Sequence, residues 1–266
     1  HARQTAEALI ALGLRKRLLA PAPATLDRRI ASWRAFHRMR NLMSPFDAPL
    51  LKQARAKGRR ANARDQTPKS AHPIDRDVLK RLLSTCGSDT RDVRDAALLL
   101  FGWASGGRRR SEIASLGIQD VILKDFQKQA VIRINLPGTK TTLRGETPSL
   151  IITGRAAKAL VAWVDRAELE QGYLFRAIAK NGRILERGLS SDGIAHVIRR
   201  RLQAAGFPPQ FASSHGLRSG FLTQAALDGA PIQAAMRLSL HKSVSQAQKY
   251  YDDVEISANP ATRLLG

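Results

Sequence analysis

The sequence predicts a mainly α-helical fold with a small antiparallel β-sheet, in two domains: a helical N-terminal domain and a mixed α/β (α+β) C-terminal domain. Three observations support this prediction. Residues 6–63 are rich in Ala, Leu and Arg, with apolar residues at helical spacing. Residues 65–73, DQTPKSAHP, have the composition of a linker. Beyond the linker, strand-like segments alternate with helical ones. We therefore predict domains at residues 1–74 and 75–266.

The N-terminal domain is predicted to contain three basic helices. The first spans residues 6–19 and is ended by two prolines. Thr25 can cap the second, at residues 25–43. Its apolar residues recur at spacings of three and share one face: Ile30, Trp33, Phe36 and Met39. The third helix covers residues 48–63. The chain begins at His1 rather than Met, which is compatible with additional residues upstream of this domain.

The C-terminal domain is predicted to begin with a helix that Asp75 can cap. A second helix, residues 91–104, is apolar on most sides, so we expect it to be central. Three strands would then form the antiparallel sheet, at residues 119–125, 129–137 and 146–153. The remaining segments predict helices at residues 155–167, 191–206, 214–229, 231–240 and 243–253.

The charge of the chain predicts a polyanionic partner. The chain carries 44 Lys and Arg against 22 Asp and Glu, a net charge of +22. Residues 1–74 hold 16 of these cations and only 4 acidic residues, so more than half the excess lies there. Because each phosphate contact releases condensed counterions, such a surface gains affinity for nucleic acid. We expect the partner to be DNA.

Several other classes of protein are not supported by the residues. Cys86 is the single cysteine, so an internal disulfide is impossible and a reducing cytosol is expected. We expect Cys86 to be a small buried residue on a helix. Neither a secretion signal nor an apolar run of membrane-spanning length is evident, so no membrane partner is predicted. A phosphate-binding loop motif, zinc-ligand spacing and paired carboxylates for magnesium are also not apparent. We therefore predict neither a metal nor a cofactor.

Six residues could together form a phosphate clamp with a nucleophile. Arg109 follows the Gly106–Gly107 pair and opens an R-x-x-E with Glu112. The glycines predict a tight turn, which would place the guanidinium near the start of the next helix, where it could hold two phosphate oxygens. Lys140 lies in a predicted hairpin, LPGTKTTLRGE, where an ammonium could protonate a leaving oxygen.

The other four candidates are near the C-terminus. His215 and Arg218 form an H-x-x-R at a predicted helix start, which Ser213–Ser214 can cap, and residues three apart share a face. His241 follows Arg218 by 23 residues, and Tyr250 follows His241 by 9. Each residue alone is more often structural, a solvated charge or a packing residue. The combination in this order is what indicates phosphate chemistry.

The set resembles the tyrosine recombinase family, also called phage integrases. The resemblance rests on three segments, GGRRRSEIASL, SSHGLRSGF and HKSVSQAQKYY, which span about 145 residues, and on the intervals between the functional residues. Residues 24–74 also look like the helical core-binding domain of this family. The family fold is a helical DNA-binding domain followed by an α+β catalytic domain.

The resemblance implies a role for each residue. Arg109 and Arg218 would hold the scissile phosphate and stabilise its charge in the transition state. Tyr250 would attack the phosphate and form a 3′-phosphotyrosyl link. Lys140 would protonate the leaving 5′-oxygen, His215 would assist proton transfer, and His241 would hydrogen-bond the phosphate. Such a reaction requires neither ATP nor metal.

Two positions depart from the family pattern. Arg108 stands where the family usually has a hydrophobic residue, which leaves Arg108 and Arg110 as alternatives to Arg109. Leu240 stands where a glycine usually precedes the second histidine. Other assignments also have alternatives. Tyr251 is the alternative nucleophile, and Lys124 and Lys128 are the alternatives to Lys140.

We therefore predict a site-specific DNA recombinase or integrase that acts on double-stranded DNA. By resemblance it would work as a homo-oligomer, a tetramer on two DNA sites, with Leu264–Leu265 in a tail that docks on a neighbouring subunit. Its expected location is the bacterial cytoplasm, in association with the nucleoid. The alternatives are a type IB topoisomerase-like enzyme and a catalytically silent DNA-binding or architectural protein. The intact set of six residues argues against the silent protein.

Overall fold

The computed structural model describes residues 2–14, 22–61, 70–124, 126–136, 148–241 and 243–258. The chain divides into two compact units, residues 1–67 and residues 68–266. Helices dominate the described part of both units, and small antiparallel sheets occur in the second. The predicted fold class is therefore confirmed.

The described part of the N-terminal unit is helical: α1 (Ala2–Ala11), α2 (Pro23–Met39), a short 3₁₀ turn (Pro45–Asp47) and α3 (Pro49–Ala61). Helix α2 begins at Pro23, because the fixed φ of proline suits the first helical turn. The prediction that Thr25 caps this helix is wrong, since Thr25 lies inside it and Ala22 is the N-cap.

Ionic contacts join α2 to α3. The Asp27 carboxylate accepts a hydrogen bond from Arg55 and another from Arg59, each at 2.7 Å. Of the apolar face predicted on α2, Ile30 is buried, whereas the side chains of Trp33, Phe36 and Met39 are exposed by 55%, 45% and 84%. The segment is helical as predicted, but most of the predicted apolar face is in contact with solvent.

The C-terminal unit begins with α4 (Arg76–Leu83), which the Asp75 carboxylate caps by accepting from the backbone N–H groups of Asp77 and Val78, as predicted. The other helices of its described part are α5 (Thr90–Ala104), α6 (Arg110–Ser115), α7 (Phe126–Gln129), α8 (Gly154–Arg166), α9 (Ser191–Ala204), α10 (Gly216–Leu227), α11 (Ile232–Ser239) and α12 (Val244–Ala258). Within the described residues, no helix has the length and apolar character needed to cross a membrane.

The predicted three-stranded sheet is present, with strands β1 (Val121–Ile122), β2 (Val131–Asn135) and β3 (Ser149–Thr153) in the antiparallel order β1-β2-β3. Ile132 pairs with Ile152, and Ile134 pairs with Leu150, and all four face the core. Alternate residues such as Arg133 and Ile151 face outward. A second hairpin, β4 (Arg176–Ile178) and β5 (Ile184–Gly188), was not predicted.

The core of the C-terminal unit forms around α5, as its apolar sequence predicted. Phe101 on α5, Trp163 on α8 and Phe175 beside β4 are almost completely buried. The Trp163 indole N–H donates to the Leu174 carbonyl at 2.8 Å, so its polar atom is satisfied in the interior.

A buried ionic cluster lies at one edge of this core. Asp95 is completely buried and receives hydrogen bonds from Arg94 at 2.8 Å and from Arg201 at 2.7 Å. Arg200 also pairs with Asp95, and Arg201 reaches Asp92 as well. Because buried charges are tolerated only when they are paired, Asp95 is the group that allows these guanidiniums to lie inside.

A second, smaller apolar cluster joins the last three helices, and it contains Phe221, Leu222, Ala235 and Tyr251. The segment before α4 also holds α10 in place. The Ile74 N–H donates to the Gly216 carbonyl at 2.8 Å, and the Ile74 carbonyl accepts from the Trp103 indole at 2.9 Å. That same carbonyl lies where Gly220 would carry a Cβ, so α10 can approach only with glycine at this position.

Candidate active site

The Gly106–Gly107 turn brings the start of α6 against α10 and α11. Both glycines have positive φ, +85° and +69°, which a residue with a side chain rarely adopts. A Cβ on Gly106 would collide with the Leu238 carbonyl group, and one on Gly107 would collide with the Cα of Arg218. The tight turn predicted from the two glycines is thus confirmed.

Arg109 is the residue that precedes α6, and its side chain is half-exposed. Its Nη1 donates to Glu112 Oε1 at 2.6 Å, which is the i to i+3 pair of the R-x-x-E motif. The guanidinium is close enough to lower the pKa values of Arg218 and His241 by its charge. Arg109 therefore belongs to the same site as those two residues.

Arg218 is buried in the first turn of α10, with 5% of the residue exposed. Its Nε donates to His241 Nε2 at 3.1 Å, and its Nη1 lies 3.4 Å from the Gly107 carbonyl. Burial, together with repulsion from Arg108 and then Arg109, lowers the pKa of Arg218 to about 10. The guanidinium stays protonated at neutral pH but lies in a strongly positive, poorly hydrated environment.

His215 is itself the N-cap residue of α10, and no side chain caps the helix, so the prediction that Ser213–Ser214 cap it is wrong. The His215 backbone N–H donates to Ser213 Oγ at 3.1 Å. In the side chain of His215, the imidazole Nε2 lies 3.3 Å from the Tyr250 hydroxyl. His215 and Tyr250 therefore form a directly contacting pair between α10 and α12.

His241 follows the end of α11 and is held from both sides. Its Nδ1 is 2.8 Å from Ser239 Oγ, and its Nε2 faces the Arg218 guanidinium. Because arginine can only donate, Nε2 accepts and the ring proton sits on Nδ1, where it is donated to Ser239. Burial and the charges of Arg218 and Arg109 lower the pKa of His241 to about 4. The imidazole is therefore neutral at neutral pH.

The two neighbouring tyrosines on α12 have different surroundings. Tyr250 is half-buried beside His215, and burial raises the pKa of its phenol, while the charge of Arg218 acts in the opposite direction. Tyr251 is 6% exposed, packs in the small apolar cluster, and donates its hydroxyl to the Ala230 carbonyl at 3.0 Å. Tyr251 thus anchors α12, and Tyr250 is the tyrosine that contacts the other candidate residues.

The structure therefore brings together five of the six predicted residues, namely Arg109, His215, Arg218, His241 and Tyr250. The sixth, Lys140, lies between β2 and β3 in the chain and is outside the described residues. The predicted Leu264–Leu265 tail is also outside the described residues. Glu112 supplies negative charge opposite the arginines. Such an arrangement can bind a phosphate group and place a phenol oxygen beside a base.

Reasoning from the sequence missed Ser239 as part of the site and considered Arg108 only as an alternative to Arg109. Ser239 is completely buried and fixes the His241 ring, but a serine inside a predicted helix carries no distinctive signal. Arg108 is 2% exposed, whereas a run of three arginines normally indicates a solvated face. Its occurrence at a position that usually holds a hydrophobic residue was the available sign of burial.

Possible metal ligands do not cluster elsewhere in the part of the chain that is described: no group of three or more His, Cys, Asp or Glu has a suitable arrangement there. Cys86 is half-buried just after α4, and its thiol lies 3.8 Å from the Leu82 carbonyl. Burial raises the pKa of this thiol, which therefore stays protonated and unreactive. The prediction of a buried residue on a helix is wrong, since Cys86 is only half-buried and follows the end of α4.

The order of the site residues along the chain and their convergence can be compared with known proteins. The family model described as phage integrase family matches residues 73–255. The chain belongs to the phage integrase family. The match begins just before α4 and ends in α12, so it contains all six predicted site residues of this integrase-family chain.

Individual relatives agree with the family assignment. An integrase/recombinase xerD homolog of Selenomonas ruminantium is 29% identical over 170 residues, which cover 62% of this chain and 48% of that protein. The tyrosine recombinase XerC of Pelotomaculum thermopropionicum is 28% identical over 239 residues, covering 86% of this chain and 70% of that protein. The integrase-family chain thus spans about half of the first relative.

A solved structure supports the fold. The Tn1549 transposon integrase, in complex with transposon right end DNA, is 16% identical with a TM-score of 0.60, over 100% of this chain and 84% of that one. At this level of identity, the likeness concerns the arrangement of helices and strands. It agrees with the α+β architecture of the integrase-family chain described above.

Proposed function

We propose that this protein is a site-specific DNA recombinase or integrase that cleaves and rejoins double-stranded DNA through a 3′-phosphotyrosyl intermediate, without metal or ATP. The observation that carries the proposal is the 3.3 Å contact between Tyr250 Oη and His215 Nε2, beside a buried arginine that donates to a half-buried histidine. A nucleophile, a base and an anion-binding group are therefore adjacent in one site.

Arg109 and Arg218 hold the scissile phosphate in the proposed mechanism. Both guanidiniums can donate two hydrogen bonds to phosphate oxygens, and both have a charge that is poorly screened because the site is partly buried. They supply the positive charge that stabilises the additional negative charge of the phosphorane-like transition state. When the phosphate binds, Arg218 exchanges its bond with His241 for bonds with the phosphate.

His241 then becomes a donor to the same phosphate. In the unliganded arrangement its Nε2 accepts from Arg218 and its Nδ1 donates to Ser239. The serine hydroxyl can donate as readily as it accepts, so the imidazole can change to the tautomer with its proton on Nε2. Ser239 therefore supports both states of the histidine, and Nε2–H is free to donate to a phosphate oxygen.

Tyr250 is the proposed nucleophile and His215 the group that takes its proton. Because burial raises the pKa of the phenol, Tyr250 is neutral at neutral pH and needs a base within reach. As Tyr250 Oη forms a bond to phosphorus, its proton passes to His215 and the bond from phosphorus to the 5′-oxygen breaks. Lys140 would give a proton to that leaving oxygen, a role that rests on the family resemblance.

The chemistry is reversible because one phosphodiester replaces another. The DNA strand is linked to Tyr250 by a bond of similar energy, so a 5′-hydroxyl of a second strand can attack it and restore a DNA backbone. The reaction thus needs no ATP. The positive charge that a metal ion would supply is provided here by Arg109 and Arg218.

The proposed partner is duplex DNA carrying a specific recombination site. The net charge of +22 supports a polyanion, and the Tn1549 integrase similar to this chain was solved in complex with DNA. We assign residues 1–74 to a basic helical core DNA-binding domain and residues 75–266 to the catalytic domain. Assembly as a tetramer on two DNA sites is proposed from the family alone.

A covalent trapping assay tests the nucleophile. The probe is a labelled library of nicked duplexes with a randomised segment, incubated with the protein in the presence of a metal chelator. Cleavage beside the nick releases a short strand, so the phosphotyrosyl adduct persists and appears as a shifted band on a denaturing gel. The recovered sequences then provide a defined substrate.

Tyr250→Phe should abolish the adduct, while binding of the same DNA changes by less than about threefold, because only the hydroxyl is lost. Tyr251→Phe is the matched control. It should retain the adduct, since Tyr251 donates to the Ala230 carbonyl in the interior. An adduct that persists in Tyr250→Phe and disappears in Tyr251→Phe would move the nucleophile to Tyr251. Tight binding without any adduct from the unmodified protein would contradict the proposed reaction.

A further inference from the structure

Arg108 is a buried cation whose place in the sequence is unusual for the family. The family pattern has a hydrophobic residue immediately before the first functional arginine, and here that residue is an arginine with 2% exposure. Burial lowers the pKa of Arg108 to about 10, which means that its charged form is destabilised by its surroundings. A leucine would avoid that cost, but it could not donate to the Ser105 and Leu238 carbonyls that Arg108 contacts.

The hydrogen bonds of Arg108 connect the α5–α6 turn to the end of α11. Its Nε donates to the Ser105 carbonyl at 3.0 Å, and its Nη2 donates to the Leu238 carbonyl at 2.7 Å. Leu238 immediately precedes Ser239, which holds the His241 ring. Arg108 therefore fixes the backbone from which His241 projects.

The third contact of Arg108 affects the charge available to the phosphate. Its Nη1 lies 3.4 Å from Glu112 Oε2, while Arg109 Nη1 bonds the other oxygen, Oε1, at 2.6 Å. One carboxylate is thus shared between two guanidiniums. With a hydrophobic residue at position 108, Glu112 would oppose Arg109 alone and cancel more of its charge. Arg108 also lies near enough to Arg218 to be the first charge that repels it.

We propose that Arg108 is a positioning residue of the strand-cleavage site, which holds Arg109 and His241 in place and keeps the cluster positively charged, without touching DNA itself. The inference rests on the proposed function, since it concerns the same site. With 2% of the residue exposed, Arg108 has almost no surface available for direct contact with DNA. The expected consequence is an effect on the rate of cleavage rather than on the affinity for DNA.

The test compares Arg108→Leu, Arg108→Lys and Arg108→Gln with the unmodified protein, using the duplex recovered from the trapping assay. Two quantities are measured: the single-turnover rate of adduct formation at saturating DNA, and the dissociation constant by fluorescence anisotropy. Arg108→Leu should form adduct about tenfold more slowly or worse, with the dissociation constant changed less than about threefold. Arg108→Lys keeps the charge but cannot reach both backbone carbonyls at once, so its rate should lie between those of Arg108→Leu and the unmodified protein.

Arg110→Leu is the matched control. Arg110 is the next arginine but one, is exposed, and pairs with the exposed Asp192. Its loss should leave the cleavage rate at saturating DNA within about twofold, because it does not contact the buried groups. A purely structural role for Arg108 would lower the fraction of active protein and the melting temperature, but not the rate constant of the active fraction.

The possible results separate the two proposals. If the unmodified protein forms no adduct, the proposed function fails. If it does form adduct and Arg108→Leu matches its rate within about twofold, the inference about Arg108 alone is overturned. If circular dichroism shows that Arg108→Leu is unfolded, the comparison of Arg108→Lys with Arg108→Gln tests the inference instead. Arg108→Lys cleaving at least about threefold faster than Arg108→Gln supports the role of the charge, and equal rates overturn it.

Discussion

The left-handed backbone at Leu240 provides a quantitative test of the link between α11 and His241. Leu240 ends α11 with φ 52° and ψ 43°, a conformation in which the Cβ of a non-glycine residue is crowded. The Leu240 side chain is half-buried and packs against the main core, so it contributes something that glycine cannot.

The three contributions can be estimated for Leu240→Gly and Leu240→Ala. Relief of the left-handed strain by glycine is worth about 1–2 kcal/mol. Against this, loss of a half-buried leucine costs about 1 kcal/mol, and the greater freedom of glycine in the unfolded chain costs about 0.4–1 kcal/mol. Leu240→Gly should therefore unfold with nearly the same free energy as the unmodified protein. Leu240→Ala keeps the strain and loses the packing, so it should be less stable by about 1 kcal/mol.

Urea unfolding followed by circular dichroism measures both variants. The decisive quantity is the difference between their free energies of unfolding, which should be about 0.5–1 kcal/mol larger for Leu240→Gly than for Leu240→Ala. Ala234→Gly is the control, because Ala234 is an exposed residue in the first turn of α11. Glycine relieves no strain there, so the order reverses and glycine should cost up to about 1 kcal/mol. If alanine at position 240 proves as stable as glycine or more so, the strain argument is refuted.

Two further predictions concern buried charge. Asp95→Asn should destabilise the C-terminal unit by about 3–5 kcal/mol in thermal or urea unfolding, because it leaves Arg94, Arg200 and Arg201 without their buried counter-ion, whereas Asp192→Asn at the surface should change stability by less than about 0.5 kcal/mol. The second concerns pH. Because the pKa of His241 is lowered to about 4 from 6.5, the folded state disfavours the proton, so stability is complete above 6.5 and is lost as pH falls toward 4. Between pH 6.5 and 4, the free energy of unfolding of His241→Gln should fall by about 1–2 kcal/mol less than that of the unmodified protein, after allowance for the partial exposure of His241. If the two proteins lose stability in parallel as the pH falls, His241 does not contribute.

The sequence predicted the fold where hydrophobic periodicity was strong. The central helix α5 and the three strands around residues 121–153 follow directly from apolar spacing, since one face or the whole element had to be buried. The hairpin of β4 and β5 was not predicted, because β4 has only three residues and β5 carries exposed side chains at Glu186 and Arg187. Short, solvated strands depend on backbone pairing, which leaves little trace in side-chain pattern.

The candidate site was predictable as a set of residues but not as a network. Spacing along the chain identified Arg109, His215, Arg218, His241 and Tyr250, because a phosphate clamp requires those side-chain types. The choice between Tyr250 and Tyr251 needed the packing of α12, since adjacent helical residues differ only in the direction they face. Burial of Arg108 depends on contacts more than a hundred residues away in the chain, and local sequence cannot reveal it.

The arrangement of charges explains why the site is suited to an anion. Arg108 and Arg109 share the carboxylate of Glu112, and the pKa of Arg218 is lowered to about 10 by burial and by these two arginines. The pKa of His241 is lowered for the same reasons. A phosphate group would supply the missing negative charge, replace the bond between Arg218 and His241, and relieve the repulsion at once. The repulsion between these arginines is greatest because their charges are poorly hydrated. In the proposed reaction the transition state carries more negative charge than the bound phosphodiester. The arginines would therefore stabilise the transition state more strongly.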